Sequence, residues 1–277
     1  MGPLLALGAS LTFGVEDFLA ALAARRTSAL TVALGLQIVG LIVLVPIVLL
    51  APGQPSVRAV ALGALAGLLG TAGLVVYLRS MARGPIGVVS PIAAITGAGL
   101  PVAWGVAVAG DALGVAQFIG IAAGLAAVAL VAASPTGRPH GEPSAGVWAA
   151  LTAGLGFGAF FIVLDGAPQD SGLWPLVGAR IASAIGVITL LRFVSRPAPP
   201  RDALPFIAIA GVSGMAANAL FLLATRIGVL SLASLLSSLY PVVALLLARA
   251  FLEERLRRPQ ALGAALAMCA VVLIVTG

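Results

Sequence analysis

The sequence predicts an all-α membrane protein, with ten transmembrane helices arranged as two inverted five-helix repeats around a central cavity. Three observations lead there. Of 277 residues, 61% are hydrophobic and 9% charged, and the mean hydropathy of +1.18 lies far above that of a water-soluble domain. The chain aligns with itself at a nearly constant offset, and its arginines favour alternate loops in a pattern that reverses at mid-chain.

A helix crosses a hydrocarbon core of about 30 Å with roughly 20 apolar residues. Ten such runs follow one another, at 2–21, 29–51, 59–79, 86–108, 114–133, 145–164, 173–194, 203–225, 229–250 and 257–276. The first begins at once, with no basic leader before it and no small-residue cleavage site after it, so it reads as a permanent span. Residues 134–144, "SPTGRPHGEPS", mix Pro, Gly and charge as a solvated linker does, and divide the chain into repeats at 1–133 and 145–277.

A shift of 144 residues brings Leu11-Thr12-Phe13-Gly14 onto Leu155-Gly156-Phe157-Gly158, Gly67 onto Gly211, Gly70 onto Gly214 and Gly84 onto Gly228. At 143, Asp111 falls on Glu254, Gln117 on Gln260 and Gly120 on Gly263. With five spans per half, the second half must enter the membrane from the opposite side. The arginines agree with that inversion. Arg25, Arg26, Arg79, Arg83, Arg138, Arg192, Arg196, Arg201, Arg249, Arg255, Arg257 and Arg258 fall on one side, against Arg58 and Arg226 on the other. By the positive-inside rule the richer side is cytoplasmic, which places both termini outside. Inverted repeats of this kind let a chain exchange outward-facing and inward-facing states, the architecture of secondary transporters.

Other classes fit poorly. The net charge of +6 is dispersed over short loops, with no contiguous basic face for nucleic acid. Cys269 is the single cysteine and His140 the single histidine, one in the last span and one in the linker, so neither a disulfide, a metal centre nor a nucleophile with its base is expected. No enzyme activity and no cofactor follow from such a composition. A sensory or structural protein would carry a soluble module that these 277 residues lack.

The chain resembles the drug/metabolite transporter superfamily in its ten-helix EamA branch. The resemblance runs through "FGVEDFLAALAARRTSALTVALGLQIVGL" at 13–41, "YLRSMARGPIGVVSPIAA" at 77–94, "WPLVGARIAS" at 174–183, "SLASLLSSLYPVVALLLARAFLEERL" at 231–256 and "QALGAALAMCAVVLIVTG" at 260–277. The last two look like the Pro, acid, Gln/Gly signature that closes each half. The first half departs from it, with Gly97 where Pro241 would align, Pro101 one turn later, and Asp111 in place of the usual glutamate. Glu16 also stands where similar chains have a small polar residue. The resemblance implies an α-helical transporter with a central cavity between two inverted halves, commonly an exporter of small metabolites such as amino acids or amphipathic compounds, other members carrying drugs, sugars or phosphorylated compounds; an uncoupled exchanger or uptake permease is the alternative, and a monomer in the plasma (inner) membrane is expected.

Two adjacent acids, Glu16 and Asp17, lie inside the first span. Each costs about 2.5–3.5 kcal/mol near a bilayer centre, so they must be protonated, paired or wet. Arg25 lies roughly 13 Å further along the helix axis and cannot readily neutralise Glu16 from the same helix. Neighbours on a helix differ by about 100° in direction, so the two acids are expected to face different places. Asp17 shares a stripe with Ser10, Phe13 and Gly14 and is the first candidate for the cavity and for proton exchange, because burial disfavours a carboxyl's charged form; Glu16 is the reserve. An ion pair with Arg180, or a helix-terminal carboxylate, is the structural alternative. Arg180 could instead hold an anionic substrate group or snorkel to the interface. Asn218 is expected to bond the substrate or clamp a neighbouring helix. Ser231, Ser234 and Ser238 precede Tyr240-Pro241, suited to close helix packing or to the cavity, and Pro241 frees a carbonyl in mid-span as Ser90-Pro91 does in helix 4. Phe13, Phe157, Phe160 and Phe161 cluster on the repeat-related helices 1 and 6, and Tyr77 and Phe221 are equivalent under the repeat; they suit an aromatic cavity wall, with lipid-facing or core roles as the alternative. Asp111 and Glu254 open helices 5 and 10, where a carboxylate complements the helix dipole.

Overall fold

A computed structural model gives the fold, describing residues 1–83, 86–132, 143–193, 199–252 and 258–276. Gly84, residues 134–142 of the linker with Arg138 and His140, Arg196, Glu254, Arg255 and Arg257 lie outside the described residues. Every regular element described is helical: α1 (Gly2–Ala24), α2 (Ala29–Leu50), α3 (Val57–Arg83), α4 (Ile86–Trp104), α5 (Val115–Ala132), α6 (Pro143–Asp165), α7 (Trp174–Leu191), α8 (Leu204–Ile227), α9 (Leu230–Ser237), α10 (Tyr240–Leu252) and α11 (Arg258–Thr276). Eight stretches among the described residues are long and apolar enough to cross a membrane, Leu230–Phe251 counting as one. This is a multi-pass membrane protein. Helices α5 and α11 occupy the two remaining expected spans and pack side by side.

Local chemistry sets several boundaries. Ser28 caps α2, its hydroxyl oxygen accepting the Thr31 N–H at 3.1 Å. Helix α4 passes into a π-helical turn, Gly105–Ala109, and stops at Gly110, whose φ of 76° is open to glycine without strain. Pro143 starts α6, so the last two residues of the expected linker belong to a helix, at a position where a missing N–H costs nothing. The expected span 229–250 is broken rather than continuous. Pro241 has no N–H to give the Ser237 carbonyl and its ring crowds that group, so α9 ends and the chain resumes as α10 at Tyr240.

The helix pairings are reciprocal between the halves. α1 packs on α8 as α6 packs on α3; α1 lies against α9 and α10 as α6 lies against α4; α2 meets α7, and α5 meets α11. Glycines matched by the 144-residue offset stand at equivalent crossings. A Cβ on Gly14 would strike Val243 and the Tyr240 carbonyl of the α9–α10 region, and one on Gly158 would stand 2.9 Å from the Leu100 Cβ of α4. Close approach through small residues is how helices associate where lipid removes the hydrophobic drive.

Contacts between loops sort them into two ends. At one, the Gln54 N–H donates to the Asp170 carbonyl at 2.9 Å, Arg226 Nη1 donates to the Ala167 carbonyl at 2.7 Å, and the Ser231 N–H donates to Asp111 Oδ2 at 3.0 Å. At the other, Arg26 donates to the Asp202 carbonyl at 3.2 Å, lies 3.7 Å from its carboxylate and stacks over Phe206 at 4.2 Å. Helix directions put Arg25, Arg79, Arg192, Arg201 and Arg249, all exposed, at this second end with Arg26. Arg58 and Arg226 belong to the first.

Candidate functional site

A cavity with about 1010 Å³ of empty space, counted out to its mouth, lies among α1, α2, α3, α4, α6, α7, α8 and the α9–α10 break. Phe13, Tyr77, Phe157, Phe160, Phe161 and Tyr240 give it an aromatic wall. Their rings pack edge to face or tilted, Phe13 on Phe161 and on Tyr240 at 6.2 Å each, Tyr77 on Phe157 at 5.5 Å. Polar side chains enter from α1, α2, α3, α7, α8 and the α9–α10 break.

Asp17 is one of them. It is 6% exposed, and its two carboxylate oxygens are both used: Oδ1 accepts the Tyr77 hydroxyl from α3, and Oδ2 accepts the Ser90 hydroxyl from α4 at 2.8 Å. These hydroxyls, and not Arg180, compensate its burial, which removes the ion-pair alternative for Asp17. Glu16, the reserve candidate, also lines the cavity. The directions of the two acids do diverge, Asp17 toward α3 and α4 and Glu16 toward α8, but the cavity is broad enough to be bordered by both. The Glu16 carboxylate rests where a Cβ on Gly214 would be, and no hydrogen bond reaches it from the described residues.

Arg180 is buried at 7% exposure instead of snorkelling, and it lines the same cavity. Its Nη1 donates to Gln37 Oε1 at 2.8 Å, while Nη2 has no hydrogen-bond partner among the described residues. The guanidinium lies over Gly40, where a Cβ would stand 3.0 Å from Cζ and Nε. Glu16 lines the same cavity, with no salt bridge to Arg180 among the described residues.

The other expected residues divide. Asn218 lines the cavity, and its Nδ2 donates to the Gly214 carbonyl of its own helix at 2.7 Å, with no hydrogen bond to a neighbouring helix among the described residues. Ser238 lines the cavity and donates to the Ser234 carbonyl at 2.7 Å. Ser234 itself is fully buried outside the lining, its hydroxyl without a partner among the described residues; the chain turns at the break, so the cavity receives Ser237 and Ser238 instead. Asp111 does not open α5, which starts four residues later. Its Oδ2 accepts the N–H and, at 2.5 Å, the hydroxyl of Ser231, so it caps α9 in the other half. Sequence reasoning missed Gln37, Thr71 and Ser183 in the lining and Ser90 as the partner of Asp17. Two of these carried a signal: Gln37 aligns with Arg180 at the 143-residue offset, and Ser90 with Ser234 at 144.

The model of the EamA-like transporter family matches the chain twice, over residues 1–133 and 144–276. The chain belongs to the EamA-like transporter family. Its superfamily is that of the drug/metabolite transporters, whose members transport rather than catalyse. Twenty-seven chains of solved structures match. One, titled "Crystal structure of protein", superposes with a TM-score of 0.77 at 17% identity, over 99% of this chain and 96% of that one, a likeness of fold alone. Comparison with curated proteins gives no match.

In this EamA-like chain the two family-matched halves differ in polarity, and Phe221, expected in the cavity wall, is instead fully buried against Phe161 and outside the lining. The offset of 144 carries Asp17, Tyr77 and Ser90 onto Phe161, Phe221 and Ser234. Where Tyr77 bonds Asp17 in one half, the Phe161 and Phe221 rings stack at 4.2 Å in the other. Where Ser90 bonds Asp17, Ser234 has no partner among the described residues. This chain thus repeats packing positions between its halves and places a carboxylate at position 17 where its match, Phe161, is apolar.

Proposed function

We propose that this protein is a secondary active transporter that exports small amphipathic metabolites by alternating access in exchange for protons. In this reading ten spans form two inverted five-helix units, 1–133 and 145–277, joined by the linker 134–144, and the monomer sits in the plasma (inner) membrane with the arginine-rich end cytoplasmic. The reciprocal helix pairings and the two-ended sorting of the loops support the inversion. The observation that carries the coupling is Asp17, a buried carboxylate at the cavity held by donors from two other helices and lacking a counterpart in the second half.

Ionised Asp17 accepts from both Tyr77 and Ser90 and so ties α1 to α3 and α4. A proton on the carboxyl turns one oxygen into a donor, and one of the two hydroxyls must rotate away or accept instead. Protonation therefore alters the contact between α1 and the helices facing it across the cavity, the kind of local change that biases a two-state packing. Reconstituted protein should show efflux that depends on a pH gradient, and Asp17→Asn should abolish that dependence. Gradient-driven flux that persists unchanged in Asp17→Asn overturns the assignment of Asp17; flux indifferent to the gradient in the unsubstituted protein overturns the coupling.

A further inference from the structure

We propose that Arg180, held by Gln37, is an anion subsite of the cavity that takes the carboxylate of a small amphipathic organic acid. The acid's apolar part lies against Phe157, Phe160 and Phe161. The inference rests on the transporter reading for the identity of its ligand as cargo, and on the cavity alone for its chemistry.

A guanidinium in mid-membrane is expensive, and its donors are ordinarily all satisfied. Here one terminal nitrogen bonds Gln37 at 2.8 Å and the other bonds nothing among the described residues, although the side chain is only 7% exposed. The group is prepared by its surroundings. Gly40 omits the Cβ that would stand 3.0 Å from Cζ, and Gln37 fixes the plane of the fork from the neighbouring helix α2. Gln37 and Arg180 are repeat equivalents at the 143-residue offset, on helices that pack against each other. At these positions the chain places an amide on one helix and a guanidinium on the other.

The vacant nitrogen carries two N–H donors that an anionic oxygen can accept. A fork of N–H donors matches the planar, two-oxygen edge of a carboxylate. The Glu16 carboxylate borders the same space, so when ionised it opposes a second negative charge and favours a monoanion over a phosphate dianion. The aromatic wall is adjacent: Phe160 packs over Gly70 of α3, one turn from Gly67, against which Ala179 beside Arg180 is seated. A ligand with an acid at one end and a ring or branched chain at the other fits this arrangement.

The test uses purified full-length protein and four probes measured by titration calorimetry: 3-phenylpropionate, 3-phenylpropan-1-ol, 3-phenylpropylamine and phenyl phosphate. The acid should bind at least tenfold more tightly than each of the others. Arg180→Gln should reduce acid binding tenfold or more, with Arg180→Lys retaining part of it and Gln37→Leu losing less than Arg180→Gln. Equal binding of acid and alcohol, preference for the amine or the phosphate, absence of binding by any probe, or an Arg180→Gln loss under twofold overturns the subsite. The probe series on unsubstituted protein decides the matter even if Arg180→Gln does not fold. Proteoliposome flux separates the two readings. Arg180-dependent acid binding with no flux overturns transport and keeps the subsite, whereas flux of the amine without acid binding does the reverse.

Discussion

Asp17 and Arg180 are the residues on which the chemistry turns, and they are satisfied to different degrees. Asp17 has both oxygens engaged, by Tyr77 and by Ser90 at 2.8 Å, while one Arg180 nitrogen has no partner among the described residues. The first reads as a group whose protonation reorganises its own partners, the second as a group awaiting one. Removing the Tyr77 hydroxyl leaves a buried carboxylate one donor short, so Tyr77→Phe should lower stability by about 1–3 kcal/mol, measured as a fall in the thermal unfolding midpoint. In an Asp17→Asn background the same substitution should cost less, because the charged acceptor is gone; equal losses in the two backgrounds would dissolve the proposed link between the pair. The acids were legible in the sequence as an unusual cost in mid-span. Their partners were not, because a hydroxyl 60 or 73 residues away is brought to Asp17 only by helix packing.

Helices α9 and α10 show how one residue divides an element. Pro241 removes the donor for the Ser237 carbonyl, the helix stops, and the turn delivers Ser237, Ser238 and Tyr240 to the cavity while Ser234 stays buried behind them. Pro241→Ala restores the N–H and should join the two helices; the expected outcome is an unchanged or raised unfolding midpoint together with transport slowed several-fold, read in proteoliposomes. The proline was visible in the sequence, but which serine faces the cavity depended on the direction of the turn. Asp111 gives the complementary case. Its sequence position suggested its own helix α5, yet it caps α9 across the boundary between the halves. Asp111→Ala should therefore cost about 1 kcal/mol, as the loss of an N-cap does, seen as a lower unfolding midpoint, and Ser231→Ala added to it should cost little more.

For the whole molecule, the arginines and the loop contacts point to the same two ends, and orientation is the prediction that belongs there. Reporters active on only one side of the membrane, fused to the C-terminus, should place it outside; a cytoplasmic signal would reverse the assignment. Composition and spacing by themselves determined the membrane class, the succession of apolar helices, the duplication at an offset of 143–144 and the presence of two acids and one arginine where lipid penalises charge. Each follows from local properties, the length and polarity of a segment or its likeness to another. Only the tertiary structure decided that Asp17 is held by hydroxyls, that Glu16 and Arg180 share its cavity, and that Gln37 meets its own repeat equivalent. Those contacts join helices distant in sequence, and their register is set by small residues such as Gly14, Gly40 and Gly214 letting particular side chains approach. No periodicity in the chain encodes that register, which is why the charges could be read from the sequence and their partners could not.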